Sequence, residues 1–138
     1  MKYADARTGI EVITRDECYA LLREEPIGRL AIVHGGAPHV FPVNYAIDGD
    51  DVVFRTDRGS KLDVGPHAPA CFEIDRFDSA TRSGWDVVVS GRLEEITRFD
   101  GERLRRVAAL PIDPWADGER AHWMRLVPRD VTGRRVTH

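Results

Sequence analysis

Hydrophobic positions along the chain change period near residue 28. Before that point, Cys18, Leu21 and Leu22 recur at the i, i+3, i+4 spacing of one helix face. Thr14-Arg15-Asp16-Glu17 has the Thr-x-x-Glu form of a capping box, and Ile13 and Cys18 stand where a hydrophobic staple would close over it. This pattern predicts a short helix from about Arg15 that ends before Pro26, whose ring and missing N–H cannot continue it.

From Gly28 onward the runs are short, apolar and closed by turn residues. Arg29 to His34 is bounded by Gly35-Gly36, and His39 to Ile47 by Asp48-Gly49-Asp50, which predicts two strands. Asp48-Gly49 is a hairpin signal because glycine takes a positive φ at no steric cost, and Asp51 to Thr56 is then the returning strand. Further strands are predicted at Ala70 to Asp75, Trp85 to Ser90 continuing through Arg92 to Thr97, His122 to Val127, and more weakly Val131 to Val136. Gly91 marks a bulge or bend in the long one. Asp100 to Leu110 reads as a helix with Leu104, Val107 and Ala108 on its apolar side, ended by Pro111 and Pro114. Six or seven strands with two or three short helices predict a mainly β, antiparallel barrel, closed or nearly so, because βαβ units would need a helix after nearly every strand.

Composition narrows the function classes. The 138 residues, 42% of them hydrophobic, suit one domain spanning 1–138. A net charge of −3 offers no global attraction to nucleic acid or anionic lipid. No apolar run approaches the roughly 20 residues of a membrane span, and Met1 to Asp5 lacks the apolar core of a signal peptide, so a cytoplasmic protein is expected. Cys18 and Cys71 have no metal-type spacing and are expected to be buried free thiols.

Phe54-Arg55-Thr56-Asp57-Arg58-Gly59-Ser60-Lys61 joins a strand to a glycine turn and a predicted helical turn. Ser60 can cap that turn, and Arg55, Thr56, Ser60 and Lys61 together can cradle a phosphate through charge-assisted hydrogen bonds. The same residues also suit a solvated turn with a helix cap. The Gly-Ser-Lys order and the lack of an upstream glycine exclude a Walker-type loop.

In Phe41-Pro42-Val43-Asn44-Tyr45, proline demands an unpaired N–H, so this strand is expected at a sheet edge where its backbone can face a ligand. Asn44 offers a donor and an acceptor to a heterocycle, and Tyr45 a ring and a hydroxyl; a strand with its polar members in water is the alternative. Trp85, Trp115 and Trp123 suit core or dimer packing, or the wall of a groove for a flat ligand. His34 and His39 flank the Gly-Gly turn and read as solvated rather than metal-binding; Glu94 and Glu95 fall on opposite strand faces and make no acid–base dyad; Arg103, Arg105 and Arg106 read as a solvated helix face.

Taken together, Gly28-Arg29-Leu30-Ala31, Pro42-Val43-Asn44-Tyr45, Asp48-Gly49-Asp50, Val53-Phe54-Arg55-Thr56, Gly59-Ser60-Lys61-Leu62, Phe72-Glu73-Ile74-Asp75, Gly84-Trp85 through Gly91 and Thr132-Gly133-Arg134-Arg135 resemble the pyridoxamine 5′-phosphate oxidase-like, flavin-binding split-barrel family over about residues 12–136. The resemblance implies a six-stranded antiparallel split β-barrel, a homodimer with flavin sites at the subunit interface, and FMN or, in some branches, a deazaflavin as cofactor. It places Arg55, Thr56, Ser60 and Lys61 on the phosphate, Pro42, Val43, Asn44 and Tyr45 along the isoalloxazine, and Trp85 toward the partner subunit, with Trp123 and Arg134 as further candidates. The Arg and Lys that bracket the strand matching Val40 to Tyr45 in true pyridoxamine phosphate oxidases are missing, as is their long C-terminal segment, so vitamin B6 oxidation is not implied. Nor is nitroimidazole reduction, because no histidine stands near Arg55 to Asp57. The reading is an FMN-dependent oxidoreductase acting on a small molecule through flavin N5, with a deazaflavin-dependent reductase or a non-catalytic flavin carrier or sensor as alternatives.

Overall fold

The structure, a computed structural model, describes residues 3–5, 8–56, 65, 67–112 and 122–137. Its elements are β1 (Tyr3–Asp5), β2 (Ile10–Val12), α1 (Arg15–Glu24), β3 (Ile27–His34), β4 (Ala37–Asn44), β5 (Ala46–Asp48), β6 (Asp51–Thr56), β7 (Ala68–Asp78), β8 (Ser83–Ile96), α2 (Gly101–Ala108) and β9 (His122–Val136). All strands belong to one antiparallel sheet in the order β1-β2-β9-β8-β7-β3-β4, with β6 pairing β9 and β5 pairing β6. The sheet curls until β4 approaches β6 with no ladder between them, which is the split of the barrel. Among the described residues the strand segments number nine rather than six: β1, β2 and β5 are short additions, and the two C-terminal candidates fuse into the 15-residue β9.

Turn chemistry sets the register. Gly35 and Gly36, both at positive φ, join His34 to its partner Ala37, and Gly49 at φ 62° lets Asp48 pair with Asp51. The bulge falls at Ser90/Gly91, where a Cβ on Gly91 would stand 1.9 Å from the Val127 carbonyl oxygen. The apolar run 39–47 is interrupted at Tyr45, between β4 and β5, so β5 turns toward β6 while β4 stays on β3.

Inward alternation builds the core: Leu30 and Ile32, Phe72 and Ile74, Val87 and Val89, Val52 and Phe54, and Leu126 are all buried. Helix α1 covers one end of it. Thr14 Oγ1 accepts from the Glu17 amide at 3.2 Å, and Cys18, Tyr19 and Leu22 point inward, with Tyr19 taking the place expected of the half-buried Leu21. A second cluster of Val53, Ile96 and Val107 lies on the outer side of β6, β8 and β9 under α2. There Leu104 and Leu110 pack while Ala108 is exposed, contrary to the periodicity reading. Arg106 clips α2 to β5 through two bonds to Asp48, at 2.7 and 2.9 Å. Cys71 is also a correction: with Ala70, Phe72 and Ile74 facing in, strand alternation turns its thiol outward, 3.4 Å from Ser90 Oγ, whereas Cys18 is buried.

The staple residues Ile13 and Cys18 sit over Gly133 of β9, where an added Cβ would stand 2.6 Å from Ile13 Cγ1 and from Cys18 Sγ. Gly133→Ala is therefore expected to lift α1 from the sheet and lower stability by about 1–3 kcal/mol, the usual cost of overpacking. Urea unfolding of the two proteins checks this.

Candidate functional site

Strand β6 ends in Arg55 and Thr56, and pairing with β9 places them opposite Trp123 and His122. Alternation sends the two side chains to opposite faces. Arg55 is exposed on the outer face, its guanidinium 5.1 Å from the Trp123 ring centroid. Thr56 is buried on the inner face, in line with the core residues Phe54 and Val52. The phosphate candidates of β6 are thus adjacent in the chain but reach a ligand from different sides. Ser60, Lys61 and the predicted helical turn beyond them lie outside the described residues, as does Trp115.

The candidates on β4 divide in the same way. Val43 is half-buried against the core. Tyr45 just beyond β4 is buried: its hydroxyl donates to the Leu22 carbonyl at 2.6 Å, its ring packs edge-on against Phe72, and burial pushes its hydroxyl pKa up. Only backbone groups of these two remain to line a ligand. Pro42 is exposed at the open edge of β4, the position its missing N–H requires, and Asn44 reaches the Pro26 carbonyl through Nδ2 at 3.3 Å.

Trp85 sits elsewhere. It is half-buried near the start of β8, in register with Arg76 and Arg135, beside a largely apolar cavity of about 450 Å³ lined also by Phe77, Ser83, Gly84 and Val136. Arg135 and the partner of Arg55, Trp123, stand near opposite ends of β9, separated by about 40 Å of strand path. The structure brings Pro42 and Asn44 to one face of β4, leaves Arg55 and Thr56 on opposite faces of β6, and does not bring Trp85 to the β6 end of the same chain. Arg134 is held by Asp86 at 3.0 Å.

Two groups were not found by sequence reasoning. Pro42 is in register with Arg29, and Arg29 with Glu73. Arg29 Nη1 bonds both Glu73 Oε1 at 3.0 Å and Asp75 Oδ2 at 2.9 Å, beside a recess of about 150 Å³ lined by Glu25, Gly28, Pro42 and Asp75. Burial above all, then the hydrogen bond and charge of Asp75, pushes the Glu73 carboxyl up to about 7 against the pull of Arg29. Glu-x-Asp at strand spacing was the available signal. The second group is His122, whose Nδ1 lies 2.6 Å from Glu95 Oε1. Its link to Thr56 is a matter of register and has no local signal. Among the described residues no group of three His, Cys, Asp or Glu is placed to hold a metal ion, and no helix is long and apolar enough to cross a membrane.

The profile described as pyridoxamine 5′-phosphate oxidase matches residues 14–135. The chain belongs to that family. Among family relatives, an uncharacterised protein of Mycobacterium tuberculosis is 31% identical over 137 residues, 95% of this chain and 88% of the relative. Of solved structures, an FAD-binding protein from Mycobacterium smegmatis is 28% identical with a TM-score of 0.75, covering 91% of this chain and 98% of that one. An FAD-binding protein from Mesorhizobium loti is 26% identical with a TM-score of 0.76, covering 93% and 99%. The mainly β split barrel is therefore the architecture of the family, and solved neighbours of this chain are flavin-binding proteins.

A raised carboxyl takes up a proton on folding, so the Glu73 site contributes stability that is full below the ordinary 4.5 and is lost as pH rises through about 7. Thermal unfolding followed from pH 4 to 8 is expected to show that decline, and Glu73→Gln to flatten it.

Proposed function

We propose that this chain binds a phosphate-bearing flavin and works as a small oxidoreductase. The observation that carries the reading is the likeness, over more than nine-tenths of the chain, to two solved FAD-binding proteins at 26% and 28% identity. When bound, the flavin supplies hydride transfer through N5; the protein supplies position, charge and hydrogen bonds. Arg55, Thr56, Ser60 and Lys61 hold the phosphate, while Pro42, Asn44 and the backbone of Val43 and Tyr45 line the ring. The exposed Arg55 cation at the β6 end suits an anionic tail, and the open β4 edge suits a flat heterocycle. FMN is the proposed cofactor, FAD the one those relatives bind, and a deazaflavin the alternative on the same barrel.

The site is completed in a homodimer. Trp85 and its cavity lie too far along β9 from Arg55 for one flavin to engage both within a single chain, so Trp85 serves the flavin of the partner. The outer sheet face also exposes Val33 and Val40, at 58% and 64%, beside the open edge strand, an apolar surface that a second chain would cover. Light scattering at micromolar concentration is expected to give twice the chain mass; a monomer mass contradicts the two-chain site.

A second reading is a flavin carrier without turnover, since the FAD-binding neighbours support binding and leave the reaction open. Visible absorption of the purified protein with added FMN or FAD, followed by anaerobic NADPH or NADH, separates the two. Bleaching of bound flavin supports the oxidoreductase, bound flavin that stays oxidised supports the carrier, and failure to bind either flavin removes both. Lys61→Ala is expected to weaken FMN binding by roughly 10- to 150-fold, the weight of one hydrogen bond to a charged group. Unchanged affinity in a flavin-fluorescence titration rejects Lys61 as an anchor.

A further inference from the structure

The inner face of the barrel continues past its core. Beyond the buried row of Ile74, Val87 and Gly133, the next inward positions on β7, β8 and β9 are Arg76, Trp85 and Arg135, side by side in register. All three line the cavity of about 450 Å³, as do Asp78 and Ser83 one row further out, whereas Asp86 and Arg134 of the outer face do not. The cavity is therefore the mouth of the barrel at the C-terminal end of β9. Its size lies within the roughly 300–1,000 Å³ of small-molecule pockets.

Trp85 gives this mouth a flat apolar wall, half-buried and backed by the core. The charges around it select the ligand. Asp78 is engaged within its own hairpin, where Oδ1 accepts from the Ala80 amide at 2.8 Å, and Arg76 is clamped by both carboxylate oxygens of Glu25. Arg135 is held more loosely. Glu17 Oε2 stands 3.6 Å from its Nη1, too far for a hydrogen bond, and among the described residues its guanidinium makes none. Glu17 and Glu11, the cross-strand partner of Arg135 on β2, both lie outside the cavity lining. A guanidinium with donors to spare, next to an indole wall, matches an aromatic ring that carries a carboxylate.

We propose that this mouth is the substrate pocket and that its ligand is a flat aromatic molecule bearing one carboxylate, the ring laid against Trp85 and the acid taken by Arg135. Only the word substrate rests on the two-chain flavin reading above; the binding itself needs one chain. A neutral ring of the same shape would cover Arg135 and leave its donors unmet, and a cation would meet two guanidinium groups against one carboxylate, so the pocket discriminates on charge.

The test uses three probes that share a ring and differ in charge: 2-naphthoate, 2-naphthylmethanol and protonated 2-naphthylmethylamine. Each is titrated into the purified protein while the indole N–H of Trp85 is followed by ¹⁵N NMR. Naphthoate is expected to shift that resonance saturably and to bind roughly tenfold more tightly than the alcohol, the share of one charge-assisted bond, with the amine weaker still. Arg135→Gln is expected to bring the acid down to the level of the alcohol and to leave the alcohol within twofold, which also shows that the variant keeps its fold. Equal affinity for acid and alcohol in wild type, an acid affinity that survives Arg135→Gln, or a Trp85 resonance that ignores the acid overturns the pocket. Flavin binding is measured on the same samples. Uptake of FMN or FAD without binding of the acid overturns the pocket alone; binding of the acid by a protein that takes up neither flavin overturns the flavin reading, and the word substrate with it.

Discussion

The barrel depends on one strand with two working edges. Along β9, one edge pairs with β8 almost from end to end, while the other takes β6 at residues 122–126 and β2 at 134–136. A strand's side chains alternate strictly, so fixing the register of β9 against β6 fixes the face of every residue at that end. A slip of one position would carry Thr56 and His122 out of the barrel and put Arg55 and Trp123 into it. That outcome is resisted from both sides. Leu126, Val52 and Phe54 are fully buried on the inner face, and Val53 with Ile96 and Val107 is buried under α2 on the outer one.

The two faces have different chemistry because of this. The inner barrel end presents the buried Thr56 hydroxyl and, beside it, the His122 imidazole held by the solvent-exposed Glu95 carboxylate. The outer face carries Arg29, Glu73 and Asp75 in hydrogen-bond contact beside the exposed edge of β4. Like-charged neighbours across the ladder, such as Asp75 and Asp86, are tolerated because each has its own guanidinium, Arg29 and Arg134. These pairs are partly solvated, so their value lies in orientation more than in stability.

Much of the fold was legible in the sequence, for local reasons. The capping box opens α1 at Arg15, the Gly-Gly and Asp-Gly turns sit where both hairpins reverse, Gly91 marks the bulge, and Pro42 lies on an edge strand. Each is a signal written within a few residues. The misses share a cause as well. Tyr45 appeared open to a ligand because its burial depends on Leu22 and Phe72, both more than twenty residues away in the chain. Cys71 appeared buried because composition records how often a residue type is inside and says nothing of which way a strand turns it.

What the sequence settled by itself was the kind of protein: the β-rich pattern, the turn positions, the family, and which cations and polar groups were available. What the tertiary structure alone decided was which of them meet. Arg55 and Thr56 are neighbours in the chain and part to opposite faces, whereas Thr56 and His122 are 66 positions apart and share one. Arg29 meets Glu73 and Asp75 for the same reason. The period of a strand is local and can be read from its residues. The register between distant strands is set by the packing of the whole core, and no short segment contains it.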